Sequence, residues 1–117
     1  MKMIVAVQGT SNFNDYSVFL RAMGVALSSM PNNDKEFYIY SVGPARVNSM
    51  VSEFSNISEK GLKSRGKKLK NYRVAPSWLS ENMESVNYFI YLSNPKESIS
   101  KLVSEAQLKN IEVGIYR

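Results

Sequence analysis

The chain contains neither cysteine nor histidine. Those two absences exclude thiol nucleophiles, disulfides, zinc-finger and iron–sulfur ligation, imidazole acid–base catalysis and the Ser-His-Asp triad. A cysteine-free chain also suits a reducing compartment, so a cytoplasmic protein is the expectation. Long apolar runs are missing as well. The opening run, residues 3–7, is broken by Gln8 and Gly9; it is too short to span a bilayer and lacks the cleavage pattern of a secretory leader, so no membrane association is expected. Acidic residues are absent from one stretch in particular: from Lys60 to Arg73 there are seven cations and no Asp or Glu. Without those seven the formal charge of +5 becomes −2. The charge therefore describes a near-neutral domain with one basic, exposed segment at about 58–73, not an evenly basic protein. At 117 residues, 44% of them hydrophobic, the chain is expected to form one domain over 1–117 with its own core.

What is present is a regular alternation of patterns. Residues 3–8 are apolar and β-branched, as in a strand buried on both faces of a parallel sheet. Gly9 opens a turn, Asn14 or Asp15 can cap a helix, and Tyr16, Phe19, Leu20, Met23, Ala26, Leu27 and Met30 follow at three- and four-residue spacing. Pro31-Asn32-Asn33-Asp34 ends that helix. A second strand over 37–41 leads through Val42-Gly43-Pro44 into a helix with Val47, Met50, Val51 and Phe54 on one face and Pro44 at its first position. Residues 55–70, with Gly61, Gly66 and few apolar anchors, read as a helix end followed by an exposed loop. A third strand over 69–74 stops at Ala75-Pro76. Ser77 caps a short helix through Trp78, Leu79 and Met83, and a fourth strand occupies 86–92. Asn94, Pro95 and Glu97 form a capping box that starts the last helix. Its buried stripe is Ile99, Leu102, Val103 and Ala106, and Asn110 ends it before a fifth strand over 111–116. This order predicts the α/β class: a Rossmann-like three-layer sandwich with a mainly parallel five-stranded sheet.

In such a sheet, ligands bind beyond the carboxyl ends of the strands. That rule gathers Gly9, Thr10, Ser11 and Asn12 from the first turn, Gly43, Pro44 and Arg46 from the second, Trp78 from the third, and Ser93 from the fourth. Small, hydroxyl and amide side chains of this kind suit a phosphate or ribose held by backbone N–H groups, with Arg46 as counter-ion and Trp78 as a stacking surface. The same residue types also serve any strand-to-helix turn. Glu81 with Glu84 and Glu53 with Glu59 have neither the strand-end position nor the histidine or metal partner that would make them an acid–base pair. No metal site and no catalytic residue is expected, and no cofactor.

The run from Ile4 through Gly9-Thr-Ser-Asn-Phe13-Asn-Asp15-Tyr16, then Tyr40-Ser-Val-Gly-Pro-Ala-Arg46, the strand at Tyr88 and the final Glu112-Val-Gly-Ile-Tyr116, resembles the small single-domain members of the SLOG superfamily. These are Rossmann-like domains related to the DNA-processing protein DprA and to the cytokinin-activating phosphoribohydrolases. Gly9, Phe13, Asp15 and Tyr16 answer to the family's first-turn pattern. The family's basic residue in that turn is replaced by Thr10-Ser11-Asn12, its second-turn glycine pair and acid by Val42-Gly43-Pro44-Ala45-Arg46, and its Pro-Gly-Gly and Glu signature is missing. The resemblance implies the fold and a reduced nucleotide site, and argues against retained hydrolase activity.

Three functions are compatible with these features. The first is a non-catalytic domain binding a nucleotide-type or phosphate-bearing small molecule at the strand-end turns. The second is a structural or interaction protein, of the sort a phage encodes as an accessory or virion-associated factor in the host cytoplasm. It would use Lys63, Arg65, Lys67, Lys68, Lys70 and Arg73 to hold nucleic acid or an acidic protein. The third is a small nucleotide or phosphoribosyl hydrolase. Homo-oligomerisation is compatible with each.

Overall fold

A strand whose side chains are apolar on both faces belongs in the middle of a covered sheet. In the computed structural model, which describes residues 2–29, 31 and 35–117, β1 (Lys2–Gly9) takes that place. It pairs with β2 (Glu36–Gly43) on one side and β4 (Tyr88–Leu92) on the other, with β3 (Lys68–Arg73) and β5 (Glu112–Tyr116) at the edges. The order is β3-β2-β1-β4-β5 and every pairing is parallel. Helices α1 (Tyr16–Ser28) and α2 (Ala45–Ser64) cover one face; α3 (Pro76–Glu81), a single 3-10 turn at Met83–Ser85 and α4 (Lys101–Leu108) cover the other. The architecture is α/β and Rossmann-like, as the alternation of patterns predicts.

Period two distributes the core between the layers. Met3, Val5 and Val7 of β1 pack with Phe19, Met23, Val51 and Phe54 beneath α1 and α2. Ile4 and Ala6 face the opposite way, with Phe89, Leu79, Leu102 and Val103. The stripe predicted for α2, Val47, Met50, Val51 and Phe54, is buried throughout. In α1, Phe19, Met23 and Ala26 are buried as expected, but Leu20 is 42% exposed and Val18 and Ala22 take the inward positions. Met30, and the breaker residues Asn32, Asn33 and Asp34, lie outside the described residues.

Several local expectations are corrected by tertiary contacts. The helix end and exposed loop read over 55–70 are instead the second half of α2, a short connection at 65–67 and the start of β3. Buried Ser55 and Leu62 anchor that half of the helix, and it closes where the Lys67 N–H reaches the Leu62 carbonyl at 2.9 Å. The isolated Gly61 costs a helix only about 1 kcal/mol, which such packing outweighs. Pro44 is the residue preceding α2, not its first turn. Ala75 precedes α3, so Pro76 and not Ser77 opens it, and Met83 belongs to the 3-10 turn. That turn also makes β4 begin at Tyr88, two residues after Val86. The largest departure is at Asn94-Pro95-Glu97. Half of the capping box forms, with the Asn94 N–H donating to Glu97 Oε1 at 2.9 Å, yet no helix follows. Arg117 binds the Pro95 and Glu97 carbonyls, and the Tyr91 hydroxyl binds that of Ser98. These side chains from outside the segment hold its carbonyls in a turn, α4 starts only at Lys101, and Ile99 is left 48% exposed.

Candidate functional site

The strand order changes direction between β1 and β4, and a crevice beyond the carboxyl ends of these two strands is where such sheets hold ligands. Here the crevice is bridged by the chain itself. The Thr10 N–H donates to the Leu92 carbonyl at 2.9 Å, and the Thr10 hydroxyl donates to Glu97 Oε1 at 2.5 Å. The Asn94 side-chain amide reaches the Asn12 carbonyl at 3.4 Å. The Glu97 carboxylate thus joins the turn after β1 to the turn after β4. These donations hold its carboxyl below the usual value, the Thr10 hydroxyl contributing most and the Asn94 N–H next. Local sequence places Glu97 at a helix start and gives no sign of this role. Only the meeting of residues 87 positions apart reveals it.

Gly9 stands at the mouth of this crevice. A Cβ built on it would lie 2.6 Å from Val47 Cγ2 and 3.3 Å from the Leu92 carbonyl. The close neighbour that requires glycine is therefore α2. The other residues of the same motif also have structural work: Phe13 is buried in the core, Asp15 accepts the Val18 N–H at 3.1 Å as the N-cap of α1, and Tyr16 stacks on Phe19. The Tyr16 hydroxyl is buried without a partner, and burial, with Glu53 adding to it, raises its pKa. Ser11 and Asn12 are in the exposed turn. Ser93 is buried, its N–H donating to the Tyr116 carbonyl and its oxygen accepting from Arg117 Nε at 3.2 Å.

The turn from β2 into α2 is built differently. Gly43 has φ +107°, a conformation that side chains disfavour, and β2 carries an extra residue there, since Gln8 pairs with Gly43 after Val7 pairs with Ser41. The buried Ser41 hydroxyl donates to Asn48 Oδ1, tying the strand to the second turn of the helix. Pro44 offers no side-chain cap, the first turn holds no acid, and Arg46 is exposed on it. An α-helix leaves its first N–H groups without intrahelical partners, and their partial positive charge favours an anion. The twenty-residue α2 presents that end with a guanidinium beside it.

Trp78 stands apart from these turns. It lies on α3, in the opposite layer to α2, with its ring edge-on to Tyr40 at 5.1 Å between centroids. Of the cations expected to hold a polyanion, Lys63, Lys67, Lys68 and Lys70 together line an open cavity of about 600 Å³, with Glu59 beside them. Lys63 is in the last turn of α2, Arg65 and Lys67 are in the connection that follows, and Lys68, Lys70 and Arg73 lie on β3. Alternation puts Lys68 and Lys70 on one face of that strand, and Arg73, at its end, borders the groove formed with Tyr72 and Trp78. A polar cleft of about 360 Å³ between α3 and α4 has no signal in the sequence. Within it Ser100 donates to Gln8 Oε1 and Ser80 to Glu105 Oε2, each at 2.6 Å. Among the described residues, no cluster of acidic side chains is arranged to hold a metal ion, and no helix is long and apolar enough to cross a membrane.

No protein-family model matches this sequence, and no curated protein matches it. Among solved structures, the crystal structure of Mycobacterium tuberculosis shikimate dehydrogenase overlays with a TM-score of 0.44 at 9% identity. The overlay covers 98% of this chain and 46% of the dehydrogenase. The chain thus spans less than half the length of that protein, and a likeness at this level carries no argument about function. The fold assignment stands on the parallel pairings and strand order themselves.

Proposed function

We propose that this chain is a single, non-catalytic Rossmann-like domain that binds a phosphate-bearing, nucleotide-type ligand, with the phosphate at the turn between β2 and α2. One observation carries the reading. Near the strand ends, the start of α1 and the turns after β1 and β4 are already satisfied by the chain's own carboxylates, Asp15 and Glu97. The starts of α2, α3 and α4 have neither a side-chain cap nor a first-turn acid, and α2, by far the longest of these helices, joins that uncapped end to the positive-φ Gly43 and the exposed Arg46. Gly43, Pro44 and Arg46 form the phosphate end; Gly9 to Asn12 and Ser93 border the neighbouring crevice, where Glu97 limits entry by a second negative group. Kinship with SLOG-type domains belongs to the same proposal, supported by the residues around Gly9 and Gly43.

Thermal unfolding with nucleoside mono- and triphosphates and with inorganic phosphate tests this. A ligand at a hundred times its dissociation constant stabilises by about 2.7 kcal/mol, equivalent to roughly 10 °C for a domain of this size. Arg46→Glu should abolish the shift. If no nucleotide raises the melting temperature, or if Arg46→Glu leaves the rise intact, the proposal fails.

A further inference from the structure

The face of β2 and β3 that lies beside α3 is unlike the rest of the sheet. Side chains from Tyr38, Tyr40 and Val42 on β2 are only partly covered by the layer of α3 and α4. On edge strand β3, Lys68, Lys70 and Tyr72 share that face and are exposed or half-exposed. Register places Tyr38 opposite Lys70 and Tyr40 opposite Tyr72. The six-residue α3 is too short to roof both strands, so Tyr72 remains 43% and Trp78 38% exposed.

The rings form one connected row. Tyr72 lies 6.1 Å from Tyr38 and 5.9 Å from Tyr40, and Tyr40 contacts Trp78. Tyr38–Tyr72 and Tyr40–Trp78 meet edge to face, so each contact covers one face of one ring and no two of these rings are stacked face to face. They border a groove of about 540 Å³. Cations stand along the same surface: Lys2 Nζ is 4.9 Å and Lys70 Nζ 6.0 Å from the Tyr38 ring centre, and Lys68 lies one row further along β3. Glu36 is the acid within this row, and its carboxylate is engaged by the Tyr38 hydroxyl with Lys70, Lys68 and Lys2 nearby.

Aromatic faces arranged at strand spacing, with ammonium groups beside them, match one partner chemistry better than others. Bases stack on rings regardless of sequence, while the linking phosphates need cations a few ångströms away. An acidic protein would use the lysines and leave the rings without a matching group. A duplex would present phosphates but keep its bases stacked inside.

We infer that the uncovered face of β2 and β3 is a binding platform for single-stranded nucleic acid, with bases on Tyr40, Tyr72 and Trp78 and phosphates on Lys2, Lys68 and Lys70. This site is separate from the strand-end turn that carries the proposed nucleotide function, and it does not depend on that reading. Of the cations expected from sequence to hold a polyanion, Lys68 and Lys70 share the face of Tyr72 on β3, and Arg73 borders the groove beside Tyr72 and Trp78.

The single tryptophan supplies the readout. The intact chain at low salt is titrated with an oligothymidylate and an oligouridylate of about ten nucleotides, with a duplex of the same length, and with heparin. Both single strands should quench Trp78 emission to saturation, and the duplex and heparin should bind at least about tenfold more weakly, the equivalent of one lost stacking contact. The two single strands separate a DNA from an RNA preference. Tyr72→Ala should weaken binding by about 5- to 100-fold, the usual worth of one stacked base, and Tyr72→Phe should retain it. Lys70→Ala should lower the magnitude of the salt slope by about 0.7, as loss of one single-strand phosphate contact does, while Tyr72→Ala leaves the slope in place. Glu36→Gln should tighten binding. Both Tyr72 and Lys70 are on an edge strand; if Tyr72→Ala unfolds, the Lys70 slope and the strand-against-duplex comparison still decide. Absence of quenching, equal binding of duplex or heparin, displacement by a polyglutamate with the same change in emission, or unchanged affinity in a folded Tyr72→Ala variant would each overturn the inference.

Discussion

Replacing Gly9 by alanine probes what holds the mouth of the crevice together. The added Cβ would sit 2.6 Å from Val47 Cγ2, closer than real Cβ contacts come, and 3.3 Å from the Leu92 carbonyl. Neither neighbour yields easily. Val47 is fully buried, and a β-branched side chain in a helix has one strongly preferred rotamer; the carbonyl already accepts the Thr10 N–H. Overpacking of this sort costs about 1–3 kcal/mol, against which removal of glycine's unfolded-state freedom returns about 0.4–1 kcal/mol. The net expectation is a destabilisation of about 1–2 kcal/mol, or roughly 4–8 °C in melting temperature. Val47→Ala alone should cost about 2 kcal/mol, two methyl groups at about 0.8 kcal/mol each with a small cavity added. In the double variant the alanine Cβ at position 9 faces space that Val47 has vacated, so the costs should fall short of additive by about 1 kcal/mol or more. Urea unfolding of the four proteins measures the cycle. A Gly9→Ala variant as stable as the parent, or a fully additive double variant, would refute the packing account and restore ligand approach as the reason for glycine.

Two further perturbations address the carboxylates that occupy anion-favouring positions. Asp15→Ala removes the N-cap of α1 and should cost about 1 kcal/mol in chemical denaturation, with Asp15→Asn close to the parent; equal stability of all three would show that the Val18 N–H finds another partner. Glu97 has its folded pKa lowered, chiefly by the Thr10 hydroxyl, so its contribution is present above the ordinary value of 4.5 and is lost as pH falls through and below it. Glu97→Gln should therefore flatten the acid limb of the stability profile, while at neutral pH it is less stable than the parent; superimposable acid limbs would remove the role assigned to that carboxylate. The same Glu97→Gln variant takes away the negative group at the crevice and should strengthen any nucleotide-dependent rise in melting temperature, read in the same thermal assay.

Patterns that depend only on near neighbours along the chain are legible from residue order alone. The apolar strand at residues 3–8, the stripe at Val47, Met50, Val51 and Phe54, and the Asp15 cap all state a local preference that the sheet and helices then satisfy. Alternation of those elements is sufficient for the α/β class and for all five strands. Boundaries depart from the local pattern where distant groups take over backbone atoms. At Asn94 to Glu97 the sequence has a good helix start, but Arg117 and Thr10 arrive from elsewhere and hold the segment as a turn. Residues 55–70 read as a helix end and then a solvated loop because cations are numerous and apolar anchors few, while one buried leucine, Leu62, and pairing of β3 to β2 carry the helix to Ser64 and start the strand at Lys68.

Residue content and periods of two and 3.6 residues are enough to specify the elements, the parallel sheet and the exclusion of thiol and imidazole chemistry. Which candidate residues meet is a matter of tertiary packing. Packing sets Gly9 against Val47, brings Glu97 across the crevice to Thr10, and leaves the α2 terminus without a capping carboxylate. It also assembles Tyr38, Tyr40, Tyr72 and Trp78 into one uncovered row. Strand register and the shortness of α3 set those distances, and neither is a property of any local stretch of sequence.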